Sequence, residues 1–412
     1  MALVPIRQCA VLVGGLGTRL GELTADTPKP ILPCGDRPFL AWLLREFIRF
    51  GIDRFVLLTG HMSERIQEIL PSIEATLPKH VQIACSVEPL RAGTGGALRH
   101  AGDLLDERFL MCNGDSLLDF NFSRLLADAA KDGPDVIGRM VLRALDDASR
   151  YSVVEVDGDR VTAFHERGQP GQSGAINAGV YLFDREILES LAAVCSLERD
   201  ILPKLAENGA LRATPGSGYF VDIGVPSDLA RAWAELPERL HRPALFLDRD
   251  GVINVDHGWV GTRERFEWMP GAKQTVRAAS DAGFHVFVVT NQSGIARGLY
   301  SEDDFLALHG WMADEMRQCG GTVDDVRYCP FHPEGTIETY CRASDWRKPA
   351  PGMLIDLIEK WELDPARCLL IGDNPNDLTA AAAAGVAGHL FAGRNLAEFA
   401  LPLLAAHDRA GE

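Results

Sequence analysis

The stretch Leu245-Phe246-Leu247-Asp248-Arg249-Asp250-Gly251-Val252-Ile253-Asn254 decides how half of this chain folds. The apolar run from Ala244 to Leu247 has no polar interruption, which is the pattern of a strand buried on both faces. Such a strand delivers Asp248 to its carboxyl end, where open α/β sheets hold their ligands. Asp250 follows two residues on, in the turn. Two carboxylates so close repel each other unless a cation lies between them, so a divalent ion is expected there. A solvated acidic turn after a buried strand would look the same in isolation, so the rest of the half must decide.

Outward from that stretch, Val286 to Val289 reads as a second strand and runs into Thr290-Asn291-Gln292-Ser293, placing a hydroxyl at another strand end. Arg347-Lys348-Pro349 supplies positive charge, and the strand Cys368 to Ile371 leads to Asp373. A helix is expected near Asp303 to Arg317. The alanine run Ala380 to Ala384 fits a helix packed closely on a sheet. This ordered set resembles the haloacid-dehalogenase-like phosphatases. The resemblance implies a Rossmannoid domain in which Asp248 is the nucleophile and Asp250 the general acid and base. Thr290 and Lys348 would hold the phosphoryl group, and Asp248, Asp250 and Asp373 would bind Mg2+. Asp377 would either support that site or simply start a helix.

Within those phosphatases, Asp256-His257-Gly258-Trp259-Val260 and Thr290-Asn291-Gln292-Ser293-Gly294-Ile295-Ala296-Arg297-Gly298 resemble the D,D-heptose 1,7-bisphosphate phosphatases. Histidinol-phosphate phosphatases share much of the pattern. The likeness implies that Asp256, His257, Gly258, Trp259, Asn291, Gln292, Ser293 and Arg347 meet the substrate. That family usually carries a zinc loop with a later Cys-x-Cys, whereas here Cys329-Pro330-Phe331-His332 is followed by Ser344-Asp345-Trp346. Cys329, His332 and Cys341 remain, but a closed zinc site wants four ligands. No zinc is therefore expected, with Phe331 and Trp346 packing the loop in place.

Upstream, Leu236-Pro237-Glu238-Arg239-Leu240-His241-Arg242-Pro243 is polar and bracketed by prolines. A linker at 237–243 is expected, separating a domain at 1–236 from one at 244–412. The first half again alternates strands with helices, the pattern of parallel α/β architecture. Strands are expected at Gln8 to Val13, Phe55 to Leu58 and Phe109 to Cys112, with helices at Phe39 to Phe50, within Leu117 to Lys131 and at about Ser227 to Glu235. Asp157-Gly158-Asp159 between Val153 to Val156 and Val161 to Phe164 is a hairpin signal.

The first strand runs into Gly14-Gly15-Leu16-Gly17-Thr18-Arg19-Leu20. Glycines there let backbone N–H groups approach phosphate closely, and Arg19 adds a permanently charged fork. Pro28-Lys29-Pro30 then presents Lys29 on a stiff segment. The spacing is neither that of a P-loop nor that of a dinucleotide fingerprint. As a whole it resembles the sugar-phosphate nucleotidyltransferases, which implies a Rossmann-like, GT-A-like domain and in-line displacement of pyrophosphate from a nucleoside triphosphate. On that likeness Gly14, Gly15, Gly17, Thr18, Glu88, Gly93, Thr94 and Gly95 line the nucleotide and sugar pocket. Glu166, Arg167, Asn177 and Gly179 would meet the sugar phosphate, Arg167 standing where many members have lysine. Asp115 and Asp222 would bind Mg2+, while Arg19 and Lys29 would stabilise the pyrophosphate.

The first half most resembles the heptose 1-phosphate guanylyltransferases, so the combined expectation is a bifunctional enzyme making a GDP-heptose for surface polysaccharide. Two alternatives stay open: another sugar phosphate or nucleotide, or a nucleotide-sensing domain that regulates the phosphatase. A formal charge of -17 argues against nucleic acid as a partner. The N-terminal residues lack the signature of a signal peptide and no run is long enough to span a membrane. Nine cysteines scattered without a framework point to a reduced, cytoplasmic protein. A homo-oligomer is left open.

Overall fold

The computed structural model describes residues 6–15, 17–167 and 171–408. The chain forms two compact units that divide after Glu238. The helix Pro226–Leu240 runs through that division, so the segment expected as a linker is helical over its first part and only 241–243 precede the next strand. Pro237 removes one backbone donor from the helix. The stripe Ala232, Leu236 and Leu240 is nevertheless buried at helical spacing, and that packing carries the helix past the proline.

In the first unit a nine-stranded sheet runs in the order Gln82–Val87, Arg54–Thr59, Gln8–Leu12, Arg108–Asn113, Gly174–Asp184, Gly138–Leu145, Leu211–Gly216, Arg160–Arg167 and Ser152–Asp157. The first four strands are parallel. Gly174–Asp184 then pairs antiparallel with both its neighbours. The sheet is therefore mixed, parallel over its first four strands and antiparallel where Gly174–Asp184 enters. Ser152–Asp157 and Arg160–Arg167 close the far edge as the hairpin that Gly158 foretold, with Gly158 at φ +61°. The stretch expected to hold a helix within 117–131 begins as a short strand, Ser116–Leu118, and turns helical only at Phe122–Ala129. That strand pairs with Phe220–Asp222. Ala10, Val56, Leu58, Phe109, Met111, Tyr181 and Phe183 centre the core of the unit.

The second unit is a five-stranded parallel sheet ordered Asp325–Cys329, His285–Asn291, Ala244–Leu247, Cys368–Gly372 and Ala387–Leu390. Leu245, Leu247, Val286, Val288, Leu369 and Ile371 pack on one face. Ala244, Phe246, Phe287, Val289, Cys368 and Leu370 pack on the other. Both faces are covered, so each central strand reads as an unbroken apolar run. The order reverses direction between Ala244–Leu247 and Cys368–Gly372, and a ligand crevice opens at the carboxyl ends of strands at such a switch point.

Candidate active sites

In the second unit, Asp248 and Asp373 each follow a strand flanking the switch point. Carboxylate oxygens of Asp248, Asp373 and Asp377 lie within 4.8 Å of one another. Lys348, only 3% exposed, sets its Nζ 2.8 Å from Asp248 and 2.7 Å from Asp377, and donates to Val289 O at 2.8 Å. Asn291 holds the lysine backbone at both polar atoms: Nδ2 donates to Lys348 O and Oδ1 accepts from Lys348 N, each at 3.0 Å.

Burial drives the Asp248 carboxyl well above the ordinary range, with Asp377 and Asp250 adding to the rise and Lys348 opposing it. Burial alone would lower Lys348, but Asp248 and Asp377 outweigh it, and the ammonium stays charged. Burial, then Asp377, also raises Asp373. Three carboxylates facing one ammonium leave two negative charges uncompensated. A divalent cation supplies that difference, and carboxylate oxygens are the ligands Mg2+ takes.

Asp377 joins this cluster while also closing the capping box of the helix Pro375–Ala383 with Asn374. One side chain thus starts the helix and also lies beside Asp248 and Asp373. Asp250 departs from expectation. Its carboxylate lies outside the cluster, bonded to Asn254 Nδ2 (3.0 Å), Gln292 Nε2 (3.0 Å) and the fork of the fully buried Arg249. Gln292, expected to meet substrate, is 1% exposed. It spends its amide on Asp250 and Thr290 Oγ1 and accepts from the Tyr300 hydroxyl. It therefore positions Asp250.

At the mouth, Asp256 accepts from Gly258 N at 2.7 Å and fixes a tight turn. His257 pairs with Glu267, and Trp259 stands half-exposed at φ +50° with the Arg297 guanidinium 5.9 Å from its ring. Ser293 opens the short helix Ser293–Ala296. Arg347 keeps a buried Nη1 with no hydrogen-bond partner among the described residues. Burial, with the Arg297 charge adding, lowers its pKa, and the surplus charge suits an anion.

In the first unit, Gly14, Gly15, Lys29, Glu88, Arg91, Gly93, Thr94, Asn113, Asp115 and Glu198 are on the wall of a cavity of about 250 Å³. A side chain at Gly14 would meet the Gly60 backbone at 3.1 Å, so glycine keeps this wall thin. Lys29 is 6% exposed, bonds Asp115 and lies 3.8 Å from Asp222. Asp222 stands opposite Ser116 in the strand pair, which brings it beside Asp115. Its Oδ1, the atom facing Lys29 Nζ at 3.8 Å, is buried with no hydrogen-bond partner among the described residues, and burial, then Asp115, raises its pKa. An orphaned carboxylate oxygen next to a second carboxylate fits a cation site. The exposed Arg19 reaches the same corner, its guanidinium 3.1 Å from where a Gly224 side chain would begin.

Gly17, at φ +62°, is not on the cavity wall. Gly95 is buried, its N–H donating to Cys195 O at 3.0 Å, so it packs the pocket floor where ligand contact was expected. Asn177 bonds the Tyr181 hydroxyl and Gly179 N. Gly179, at φ +74°, lets that strand approach Asn113. Glu198 was not foreseen. It reaches the cavity from the turn Leu197–Ile201 and accepts from Thr94 Oγ1 at 2.8 Å, a contact with no local sequence signal. The side chains of Thr18, Glu166 and Arg167 lie outside the described residues.

The family model for nucleotidyl transferases matches residues 9–239, more than half of the chain. The chain belongs to that family. A HAD-hydrolase-like model matches residues 345–393. The D-glycero-beta-D-manno-heptose-1,7-bisphosphate 7-phosphatase of Rhodopseudomonas palustris is 51% identical over 169 residues, covering 41% of this chain and 94% of the relative. Its counterpart in Escherichia coli K12 is 44% identical over 144 residues, covering 35% of this chain and 75% of the relative. The first unit is similar to the crystal structure of HddC from Yersinia pseudotuberculosis, with a TM-score of 0.50 and 28% identity over 56% of this chain and 100% of that one. The protein is thus an enzyme that joins a nucleotidyltransferase to a HAD-like phosphatase. Among the described residues no helix is long and apolar enough to cross a membrane.

Proposed function

We propose that the phosphatase, residues 244–412, removes the 7-phosphate from D-glycero-D-manno-heptose 1,7-bisphosphate, and that the nucleotidyltransferase, residues 1–236, converts the resulting heptose 1-phosphate and GTP to GDP-heptose and pyrophosphate. The phosphatase step is supported by the relatives that act on that bisphosphate. The transferase step is supported by the likeness to HddC and by the resemblance of Gly14 to Leu20, Pro28-Lys29-Pro30 and Glu88 to Ala97 to guanylyltransferases. The observation that carries the reading is the Asp248, Asp373, Asp377 and Lys348 cluster at the switch point.

In the phosphatase, an Asp248 oxygen attacks phosphorus, the bond to the sugar oxygen breaks, and Asp250 gives that oxygen a proton. Asp250 then takes a proton from the water that hydrolyses the aspartyl-phosphate. Arg249, Asn254 and Gln292 hold Asp250 in reach, and Lys348 neutralises charge on the phosphoryl oxygens. Arg347, with Asp256 to Trp259 opposite, receives the rest of the substrate. Asp248, Asp373 and Asp377 would hold Mg2+, as would Asp115 and Asp222 in the other unit. When bound, the ion neutralises phosphate oxygens and so lowers the barrier to attack on an anion.

In the transferase, Gly14 and Gly15 admit the triphosphate, while Lys29 and Arg19 face the departing pyrophosphate. A heptose 1-phosphate oxygen attacks the α-phosphorus in line, and positioning supplies most of the rate. Free cysteines throughout the described residues suit a cytoplasmic enzyme.

Purified protein given the bisphosphate, GTP and Mg2+ should release phosphate and pyrophosphate. Asp248→Asn should abolish phosphate release while sparing pyrophosphate release from added heptose 1-phosphate, and Asp115→Asn should do the reverse. Loss of neither product in its matching variant would refute the assignment.

A further inference from the structure

The zinc implied by resemblance to the heptose-bisphosphate phosphatases does not fit the residues present, and the structure points to what holds the loop instead. Cys329 is buried and its Sγ faces Phe331 O at 3.8 Å. Cys341 lies at the surface against Pro333 O (3.3 Å), and His332 uses Nδ1 to accept from Glu334 N (3.1 Å). These three do not converge as a ligand group; among the described residues the convergent group is Asp248, Asp373 and Asp377. Ser344 and Trp346 stand where the Cys-x-Cys pattern has its cysteines.

We propose that Glu302 takes the place of the metal as the anchor of residues 330–347, and that this anchoring positions Arg347 for substrate. Glu302 is the first residue of the helix Glu302–Gln318, where a negative charge is favoured by the exposed N–H groups of the first turn. One oxygen accepts the Tyr328 hydroxyl at 2.9 Å and the other the Tyr340 hydroxyl at 2.5 Å. Tyr328 belongs to the sheet, in the strand Asp325–Cys329, whereas Tyr340 belongs to the loop. One carboxylate thus ties sheet, helix and loop together, as a multidentate metal does. The clasp reaches further into the loop, because Tyr340 O accepts from His332 N and the Phe331 and Tyr340 rings lie 6.0 Å apart. A second seam runs alongside it: Thr336 N and Ile337 N both donate to Ala296 O.

The arrangement separates two neighbouring residues. Lys348 is fixed independently, by Asn291, Asp248 and Asp377. Arg347 is held through its backbone, N donating to Ser344 O at 3.2 Å and O accepting from Ala350 N at 2.9 Å, and its side chain carries an Nη1 with no hydrogen-bond partner among the described residues. Loosening the loop therefore acts on substrate capture and leaves the phosphoryl chemistry alone.

The inference rests on the proposed phosphatase activity for one readout and is independent of it for the other. Tyr340→Phe and Glu302→Gln are compared with the unaltered protein for KM and kcat of phosphate release, and for the rate at which Cys341 reacts with a thiol dye. A hydrogen bond to a charged group is worth enough to shift KM about tenfold when it is lost, with kcat held within about twofold. Labelling of Cys341 should quicken in both variants, and metal analysis should find no zinc. Unchanged labelling in both variants overturns the clasp whatever the kinetics. So does one zinc per chain, and a fall in kcat at constant KM overturns the role assigned to Arg347. Absence of activity in the unaltered protein would instead sink the phosphatase reading and leave the labelling test standing.

Discussion

Gly251→Ala is the perturbation that probes the phosphatase site most narrowly. Gly251 sits between the turn carboxylate Asp250 and the strand end that carries Asp373, at φ +82°. A side chain there would begin 2.0 Å from Asp373 Oδ2 and 2.5 Å from its Cγ, so Asp373 must swing away. The left-handed backbone itself costs an alanine about 1–2 kcal/mol. For a domain of this size each kcal/mol is worth about 2–4 °C, so its Tm should fall by roughly 2–8 °C. Displacing a carboxylate of the acidic cluster by an ångström or more should lower phosphate release about a hundredfold. Pyrophosphate release depends on residues of the other unit and should not change, which supplies an internal control. The assays are calorimetry and paired phosphate and pyrophosphate release on one preparation. A variant with the lowered Tm but full phosphatase activity would show that Asp373 has no part in the reacting cluster.

Asp222→Asn keeps the shape of the second carboxylate of the transferase but removes its charge; pyrophosphate release should drop at least about a hundredfold with phosphate release intact, and near-normal turnover would exclude a metal at this pair. Gly179→Ala places a Cβ 2.6 Å from Asn113 Nδ2, so KM for the sugar phosphate should rise severalfold, and unchanged kinetics would remove this strand from the site. Burial, reinforced by the Arg249 and Arg317 charges, pushes His309 down to about 4. Its unfolded value is about 6.5, so the unfolded chain binds the proton first as pH falls. Stability should be lost between about pH 6.5 and pH 4, by roughly 2–3 kcal/mol, and His309→Asn should flatten that part of the denaturation profile; an identical slope in the variant would refute the burial argument.

Residues whose roles are set by neighbours in sequence were legible before any coordinates. The unbroken run Ala244 to Leu247, the glycines after the first strand and the Asp-Gly turn at Asp157-Gly158 each carry their own signal. Roles set across the fold were not. Asn374-Pro375-Asn376-Asp377 reads locally as a helix start, and its capping box is real. Its ion pair with Lys348 exists only because two distant segments converge at the switch point. Gln292 was expected at the substrate because its segment resembles that of the heptose-bisphosphate phosphatases, yet it turns inward to Asp250. Glu198 gives no warning at all, since Thr94 is its partner only in three dimensions. The antiparallel insertion of Gly174–Asp184 escaped for the same reason, because an apolar strand carries no mark of its direction.

The most direct test of two linked phosphorus chemistries in one chain is mass spectrometry of the products from heptose 1,7-bisphosphate, GTP and Mg2+ incubated with the purified protein alone. GDP-heptose accumulating with one phosphate and one pyrophosphate per molecule is the expected outcome. Recovery of the bisphosphate and GTP unchanged would contradict it.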